Sequence, residues 1–141
     1  MLSKPELLLP NLLLVAAAAM IDAERRVLVQ RRPAGTPMAG LWEFPGGKVE
    51  AGEVPEAALT RELDEELGIA VDAADLTPCA FASEGLGTRH LLLLLYLVRT
   101  WRGKPEAKHA EALRWLRPRE LRDLAMPPAD IPLIAALEQL I

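Results

Sequence analysis

The chain has 141 residues, of which 51% are hydrophobic and 26% charged, a composition typical of one globular domain that excludes a disordered chain. Its net charge of −4 argues against binding to duplex nucleic acid, because proteins of that class carry a basic contact surface. A single cysteine, Cys79, excludes an internal disulfide and fits a reducing compartment, so we expect one cytoplasmic domain over residues 1–141.

An apolar segment near the N-terminus, residues 7–21, imitates a secretory signal. The residues before it carry no net charge, and Pro10 interrupts it, which argues against a signal sequence. Its unbroken part, residues 12–21, is much shorter than the ~20 residues that a transmembrane helix needs. Because apolar residues there do not alternate with polar ones, we predict a strand buried on both faces and no membrane association.

The next segments predict a second strand, a loop and a turn. Val27 and Val29 alternate with polar neighbours, which predicts a half-buried strand over residues 26–31. Proline and glycine residues indicate a loop over residues 33–40. Over residues 41–47, a proline followed by paired glycines predicts a tight, exposed turn.

The clearest predicted helix covers residues 54–67. Pro55 is tolerated in the first turn of a helix, and Gly68 is a typical residue just after the last turn. Three leucines spaced four residues apart would form the buried face of the helix: Leu59, Leu63 and Leu67.

The rest of the chain predicts strands over residues 79–83, 90–98 and 113–116, and a last helix from about Ile131. Strands mixed with two or three helices predict a single α/β (α+β) sandwich.

The predicted helix carries an acidic face. Glu62, Glu65 and Glu66 are three and four residues apart, so their carboxylates lie on one side and repel one another. A solvated acidic face is the alternative interpretation, but no Lys or Arg alternates with these glutamates. A divalent cation would relieve the repulsion, and carboxylate oxygens suit Mg²⁺ or Mn²⁺. Beside the Gly46-Gly47 turn, such a cation fits a substrate that carries phosphates.

The spacing of residues 47–69 resembles the Nudix box, the signature of hydrolases that cleave nucleoside diphosphates linked to another moiety. The fixed positions of that box are matched by Gly47, Glu53, Arg61-Glu62-Leu63, Glu65-Glu66 and Gly68-Ile69. The resemblance implies the Nudix fold, a mixed β-sheet sandwiched between α-helices, in which the box forms a loop, a helix and a second loop.

The resemblance also implies a catalytic set of five charged residues: Glu53, Arg61, Glu62, Glu65 and Glu66. The three residues Glu62, Glu65 and Glu66 would hold the catalytic Mg²⁺, or Mn²⁺ in its place, with the carbonyl group of Gly46. Arg61 would orient a carboxylate, and Glu53 would pair back to fix the loop. For the last two residues, a purely bracing role in the loop is the alternative.

Three further segments resemble MutT-type Nudix enzymes: residues 27–32, 38–48 and 127–134. These enzymes remove pyrophosphate from nucleoside triphosphates and sanitise oxidised precursors such as 8-oxo-dGTP. The resemblance therefore implies a Mg²⁺-dependent pyrophosphohydrolase. Seven residues would contact its nucleotide: Arg32, Glu43, Phe44, Pro45, Gly46, Arg89 and Asp130. For the two arginines, a solvated strand end is the alternative.

Asp130 has two interpretations. It immediately precedes the last predicted helix, so its side chain is a candidate N-cap. In MutT-type enzymes this position reads the base, often with an Asn, which donates and accepts, whereas an ionised Asp only accepts. Asp130 would then favour a base edge that presents donors, as oxidised guanine and cytosine do. Because a branch that acts on CTP and modified dCTP is also similar here, both bases stay open.

A loop glutamate is a further candidate metal ligand. Many relatives carry a Glu six residues before the tryptophan that corresponds to Trp115. In this chain that position is His109, with Glu106 and Glu111 on either side. A shift in the loop would let Glu111 serve as the additional ligand.

Two other functions fit the resemblance. One is hydrolysis of another Nudix substrate, such as ADP-ribose or a dinucleoside polyphosphate. The other is a Nudix-fold module that binds a nucleotide without cleaving it, although the complete set of box carboxylates favours an enzyme. We expect a small-molecule nucleotide as the partner, and a monomer or a homodimer as the assembly.

Overall fold

The computed structural model describes residues 11–141. This part of the chain forms seven strands, two α-helices and two short 3₁₀ segments, at Ala73–Asp75 and Pro118–Asp123. The strands are β1 (Asn11–Met20), β2 (Val27–Arg31), β3 (Trp42–Glu43), β4 (Gly46–Lys48), β5 (Leu76–Leu86), β6 (Arg89–Val98) and β7 (Ala112–Leu116). The helices are α1 (Pro55–Leu67) and α2 (Ile131–Leu140).

The strands form two sheets. The larger has the order β4-β1-β6-β5, and the smaller has the order β3-β2-β7. Strands β1 and β6 are parallel over their whole length, whereas the other pairs are antiparallel, so the larger sheet is mixed. The mixed α+β architecture predicted from the sequence is confirmed.

Strand β1 packs against a helix on each face. Ala16 and Ala18 share a buried cluster with the leucines of α1, while Ala17 and Ala19 share another with the apolar face of α2. The second half of β1, from Ala16 to Met20, is therefore buried on both faces as predicted. The first half is not: Asn11 and Leu12 are exposed, and residues 13–15 are half-buried. The first four residues of the apolar segment, 7–10, lie outside the described residues. None of the described helices is both long and apolar enough to cross a membrane.

Helix α1 is bounded by the residues that the sequence indicated. Pro55 is its first residue. Gly68 ends the helix in a left-handed conformation, and its N–H donates to the backbone carbonyl of Asp64. The four-residue spacing of its leucines buries all three of them: Leu59, Leu63 and Leu67. The helix therefore turns its apolar face to the sheet and leaves its glutamates beside β4.

Strand β2 differs from its prediction. All four residues from Val27 to Gln30 are buried, so the strand is not half-buried. Leu28 packs towards α1, and Val27 and Val29 pack towards α2, which leaves no solvent-facing side before Arg31. Alternation with polar neighbours was a misleading signal, because one of those neighbours, Gln30, is itself buried.

The predicted exposed turn over residues 41–47 is also different. It consists of the short strands β3 and β4, joined by Phe44 and Pro45, which are both buried. Gly46 pairs with Ala17 of β1, and a Cβ at position 46 would collide with the β1 backbone. The glycine is therefore required by a close backbone approach and not by an exposed turn.

We expect Gly46→Ala to destabilise the protein by more than about 2 kcal/mol, because β4 must move away from β1 to make room for the methyl group. Gly85→Ala in β5 is the matched control, since a Cβ there would meet nothing within 4 Å. Its effect should stay within about 1 kcal/mol. Urea unfolding of the two variants measures the difference, and equal free energies of unfolding would contradict the packing described here.

Candidate active site

The acidic face of α1 lies against β4. The Glu62 carboxylate occupies the space where a side chain at Gly47 would stand, so a larger residue at position 47 would displace this carboxylate. Only 16% of the Glu62 side chain is exposed, compared with 54% for Glu65 one turn later. The two glycines of β4 thus allow its backbone to approach β1 on one side and a carboxylate on the other.

Arg61 connects the helix to the loop before it. Its Nε and Nη2 donate to the two carboxylate oxygens of Glu53 at 2.8 and 2.9 Å, and Nη2 also donates to the Lys48 carbonyl at 3.2 Å. Glu53 accepts a further hydrogen bond from the Glu50 N–H at 2.9 Å. The hydrogen bonds from Arg61 lower the pKa of Glu53 to about 2. The pair therefore stays ionised and braces the loop.

Glu66 is half-buried and lies at the part of the acidic face next to β2. Its Oε1 accepts a hydrogen bond from Nε2 of Gln30 at 2.9 Å. Burial raises the pKa of Glu66 well above its usual range. The hydrogen bond from Gln30 opposes this effect, whereas the charges of Glu62 and Glu43 add to it. A negative charge on Glu66 is thus poorly compensated by the protein alone.

The donor set fits a hard divalent cation. Glu62 and Glu66 are neighbours whose charges repel each other, and oxygen ligands are those that Mg²⁺ and Mn²⁺ prefer. Nη1 of Arg61 donates to Oε1 of Glu62 at 2.9 Å and to Oε1 of Glu65 at 3.3 Å. Within residues 11–141, no three acidic, histidine or cysteine side chains converge on one point. Binding by all three glutamates therefore requires the two carboxylates that Arg61 contacts, those of Glu62 and Glu65, to rearrange.

A second polar group lies at the junction of β2 and β3. Nη1 of Arg32 is 3.0 and 3.2 Å from the two carboxylate oxygens of Glu43, and Nε donates to the Pro37 carbonyl at 2.6 Å. Gln30 lies opposite Glu43 in the strand register, and its Nε2 is 3.4 Å from Glu43 Oε2. The predicted nucleotide residues Arg32 and Glu43 are therefore connected through Gln30 to Glu66.

Asp130 does not use its side chain as an N-cap. It occupies the N-cap position of α2, but its Oδ2 accepts the N–H of Phe44 at 3.2 Å. Burial raises the pKa of Asp130 to about 7; the hydrogen bond from Phe44 lowers it, the charge of Glu43 raises it and the charge of Arg32 lowers it. Near neutral pH the carboxyl group is therefore partly protonated, and the protonated form can donate as well as accept.

The segment of residues 44–46 connects Asp130 to the acidic face of α1. The N–H of Phe44 is bonded to Asp130, the Pro45 carbonyl accepts from the Ala18 N–H at 2.8 Å, and Gly46 pairs with β1. The segment is fixed at three successive residues. It therefore fixes the position of Asp130 relative to the acidic face of α1.

Two predicted site residues lie apart from this arrangement. Glu111 forms an ion pair with Arg31 at 3.4 Å. Arg89 is the exposed first residue of β6, beside the β5–β6 turn. In the part of the chain that the structure describes, no hydrogen bond or ion pair joins either residue to the glutamates of α1. Their implied roles stay predictions.

Sequence reasoning missed Gln30. We treated it only as a polar neighbour in an alternating strand, yet its residue is just 5% exposed and contacts both Glu43 and Glu66. The available signal was chemical: an amide at the end of an apolar strand, two residues before Arg32, has to find partners if that strand is buried.

A profile of the NUDIX domain matches residues 12–137 of this chain. The chain belongs to the Nudix family. Among its relatives, the CTP pyrophosphohydrolase of Escherichia coli is 40% identical over 119 residues, covering 84% of this chain and 87% of the relative. The 8-oxo-dGTP diphosphatase of the same species is 36% identical over 131 residues, covering 89% and 96%.

The fold comparison agrees with the sequence comparison. The solution structure of the E. coli ORF135 protein superimposes on this Nudix chain with a TM-score of 0.83 and 36% identity, covering 93% of this chain and 91% of that one. The fold implied by the resemblance, a mixed sheet between helices, is thereby confirmed.

We expect Asp130→Asn to stabilise the protein in a pH-dependent way. In the unfolded chain the carboxyl group ionises near 3.8, but in the folded Nudix domain its pKa is about 7. The wild-type protein therefore loses stability as the pH rises from 3.8 towards 7, whereas the uncharged amide does not. Urea unfolding should give nearly equal stabilities at pH 4 and a variant more stable by up to about 4 kcal/mol at pH 8. A difference independent of pH would contradict the assignment.

Proposed function

We propose that this Nudix chain hydrolyses a nucleoside triphosphate to the monophosphate and pyrophosphate, with Mg²⁺ as its cofactor and Mn²⁺ as the alternative. The observation that carries the proposal is the position of Glu66, a half-buried carboxylate one turn from Glu62 that receives its hydrogen bond from the neutral amide of Gln30. Such a group is costly to ionise unless a cation is bound. The similarity to two enzymes named for nucleoside triphosphate substrates supports this substrate class.

Each residue of the box has a distinct part in this proposal. Glu62, Glu65 and Glu66, with the Gly46 carbonyl, would hold the cation, for which Glu62 and Glu65 would have to rearrange at Arg61. Arg61 and Glu53 keep the loop closed against α1 through their paired hydrogen bonds. When bound, a divalent cation supplies an activated water and neutralises charge on the departing pyrophosphate. Glu111 would be an additional ligand, but only after its ion pair with Arg31 is broken.

The substrate we favour is 8-oxo-dGTP. Arg32, Glu43, Arg89 and the segment of Phe44 and Pro45 bind the nucleotide, and Asp130 reads the base. As a protonated acid, Asp130 both donates and accepts, as an Asn would. In its ionised form it only accepts, which favours the amine of cytosine, so CTP or dCTP is the second candidate. The 40% identity to a CTP pyrophosphohydrolase favours keeping that candidate.

The cellular role that follows is sanitation of the nucleotide pool, which prevents the incorporation of oxidised precursors into DNA. We place the activity in the cytoplasm, where a chain with one cysteine stays reduced. The domain acts as one unit over residues 1–141, as a monomer or a homodimer.

We expect Glu66→Gln to reduce pyrophosphate release by more than about 100-fold, because losing even an outer partner of a metal ligand costs 10–100-fold. The melting temperature should be unchanged or higher, since a half-buried amide is less costly than a half-buried carboxylate. Asp64→Asn, an exposed acid next to the acidic face on the same helix, is the matched control and should keep full activity.

Removal of divalent cations with a chelator tests the same proposal on the wild-type protein. Pyrophosphate release should stop and should return on addition of Mg²⁺. A protein that binds nucleoside triphosphates tightly but releases no pyrophosphate at any Mg²⁺ concentration would instead be a nucleotide-binding module.

A further inference from the structure

Gln30 lies between two polar parts of the site, the acidic face of α1 and the ion pair of Arg32 with Glu43. It lies on β2 opposite Glu43 of β3, and its side chain points to the same face as Glu43, towards α1. Its amide Nε2 lies 2.9 Å from Oε1 of Glu66 and 3.4 Å from Oε2 of Glu43. A single neutral amide therefore contacts one carboxylate from each group.

The hydrogen-bond chemistry fixes the orientation of this amide. A rotated amide would place its oxygen against two carboxylates, so the NH₂ group must face Glu43 and Glu66. The Gln30 oxygen, Oε1, is then buried without a hydrogen-bond partner among the described residues. An unpaired buried acceptor lowers stability, and an apolar side chain of similar size would avoid that cost. Packing alone does not explain an amide at this position.

The hydrogen bond from Gln30 orients the Glu66 carboxylate. Gln30 is the single hydrogen-bond donor to the Glu66 carboxylate within residues 11–141, and it holds one of the two oxygens. It donates without adding a positive charge, so the negative charge of Glu66 remains available to a cation. A lysine or arginine here would neutralise that charge. Outer hydrogen bonds of this kind orient carboxylate ligands and strengthen metal binding.

We propose that Gln30 is a positioning residue that orients the Glu66 carboxylate for the divalent cation and couples it, through Glu43, to Arg32. The inference rests on the proposed function in assuming that Glu66 is a metal ligand. It predicts that loss of the Gln30 amide weakens metal binding first. The chemical step at saturating metal concentration should change much less.

The test is the affinity of Mn²⁺ for the protein without nucleotide, measured by titration calorimetry. Gln30→Met preserves the size of the side chain and removes its donor. We expect the dissociation constant for Mn²⁺ to be 10–100-fold larger. Gln139→Met, at an exposed glutamine of α2, is the matched control and should bind Mn²⁺ as the wild type does. Unchanged affinity in a folded Gln30→Met variant would overturn the proposal.

A kinetic readout separates positioning from general stability. The Mg²⁺ concentration for half-maximal activity of Gln30→Met should rise by the same factor, while kcat at saturating Mg²⁺ stays within about threefold of the wild type. A merely structural role would lower kcat without metal rescue, which would contradict the proposal. If Gln30→Met does not fold, Gln30→Asn decides, because its shorter amide cannot reach both carboxylates; unchanged Mn²⁺ affinity there overturns the proposal.

The two proposals fail in different ways. If the wild-type protein binds Mn²⁺ but hydrolyses no nucleoside triphosphate, the proposed function is wrong and the Mn²⁺ comparison still decides the role of Gln30. If the wild-type protein binds no Mn²⁺, both proposals are overturned.

Discussion

The close approach of the β4 backbone to its two neighbours is the constraint on which the site depends. Gly46 lies against the backbone of β1, and Gly47 lies against the carboxylate of Glu62. A side chain at position 46 would separate β4 from β1, and one at position 47 would displace the Glu62 carboxylate from the site. With both glycines in place, the segment from Phe44 to Gly46 holds Asp130 on one side and the acidic face on the other.

The acidic face of α1 is compensated unevenly by positive charge, and the uncompensated part is where we propose that the cation binds. Arg61 neutralises Glu53 and contacts Glu62 and Glu65, so the outer half of the acidic face is compensated. Glu66, by contrast, receives only the neutral amide of Gln30 as a donor from the described residues. A divalent cation would supply the missing positive charge beside β4, whose two glycines are half-buried.

The sequence predicted what depends on local spacing. Helix α1, its leucine face, its glycine end and the convergence of Glu62 and Glu66 all follow from positions within one helix. Tertiary burial was not predictable in the same way. The burial of Gln30 arises because both faces of β2 are covered, and the bond from Phe44 to Asp130 joins residues far apart in the chain. Neither contact has a local signal, so alternation and N-cap position suggested the wrong environments.

The most direct test of this account is pyrophosphate release in the presence of Mg²⁺, with kcat/KM compared for 8-oxo-dGTP, dGTP, CTP and dCTP. That ratio reports how well each transition state is bound. The account predicts equal amounts of monophosphate and pyrophosphate, and a kcat/KM for 8-oxo-dGTP at least ~10-fold above that for dGTP. A preference for the cytosine nucleotides would assign Asp130 to cytosine instead. No pyrophosphate from any of the four would contradict the central claim.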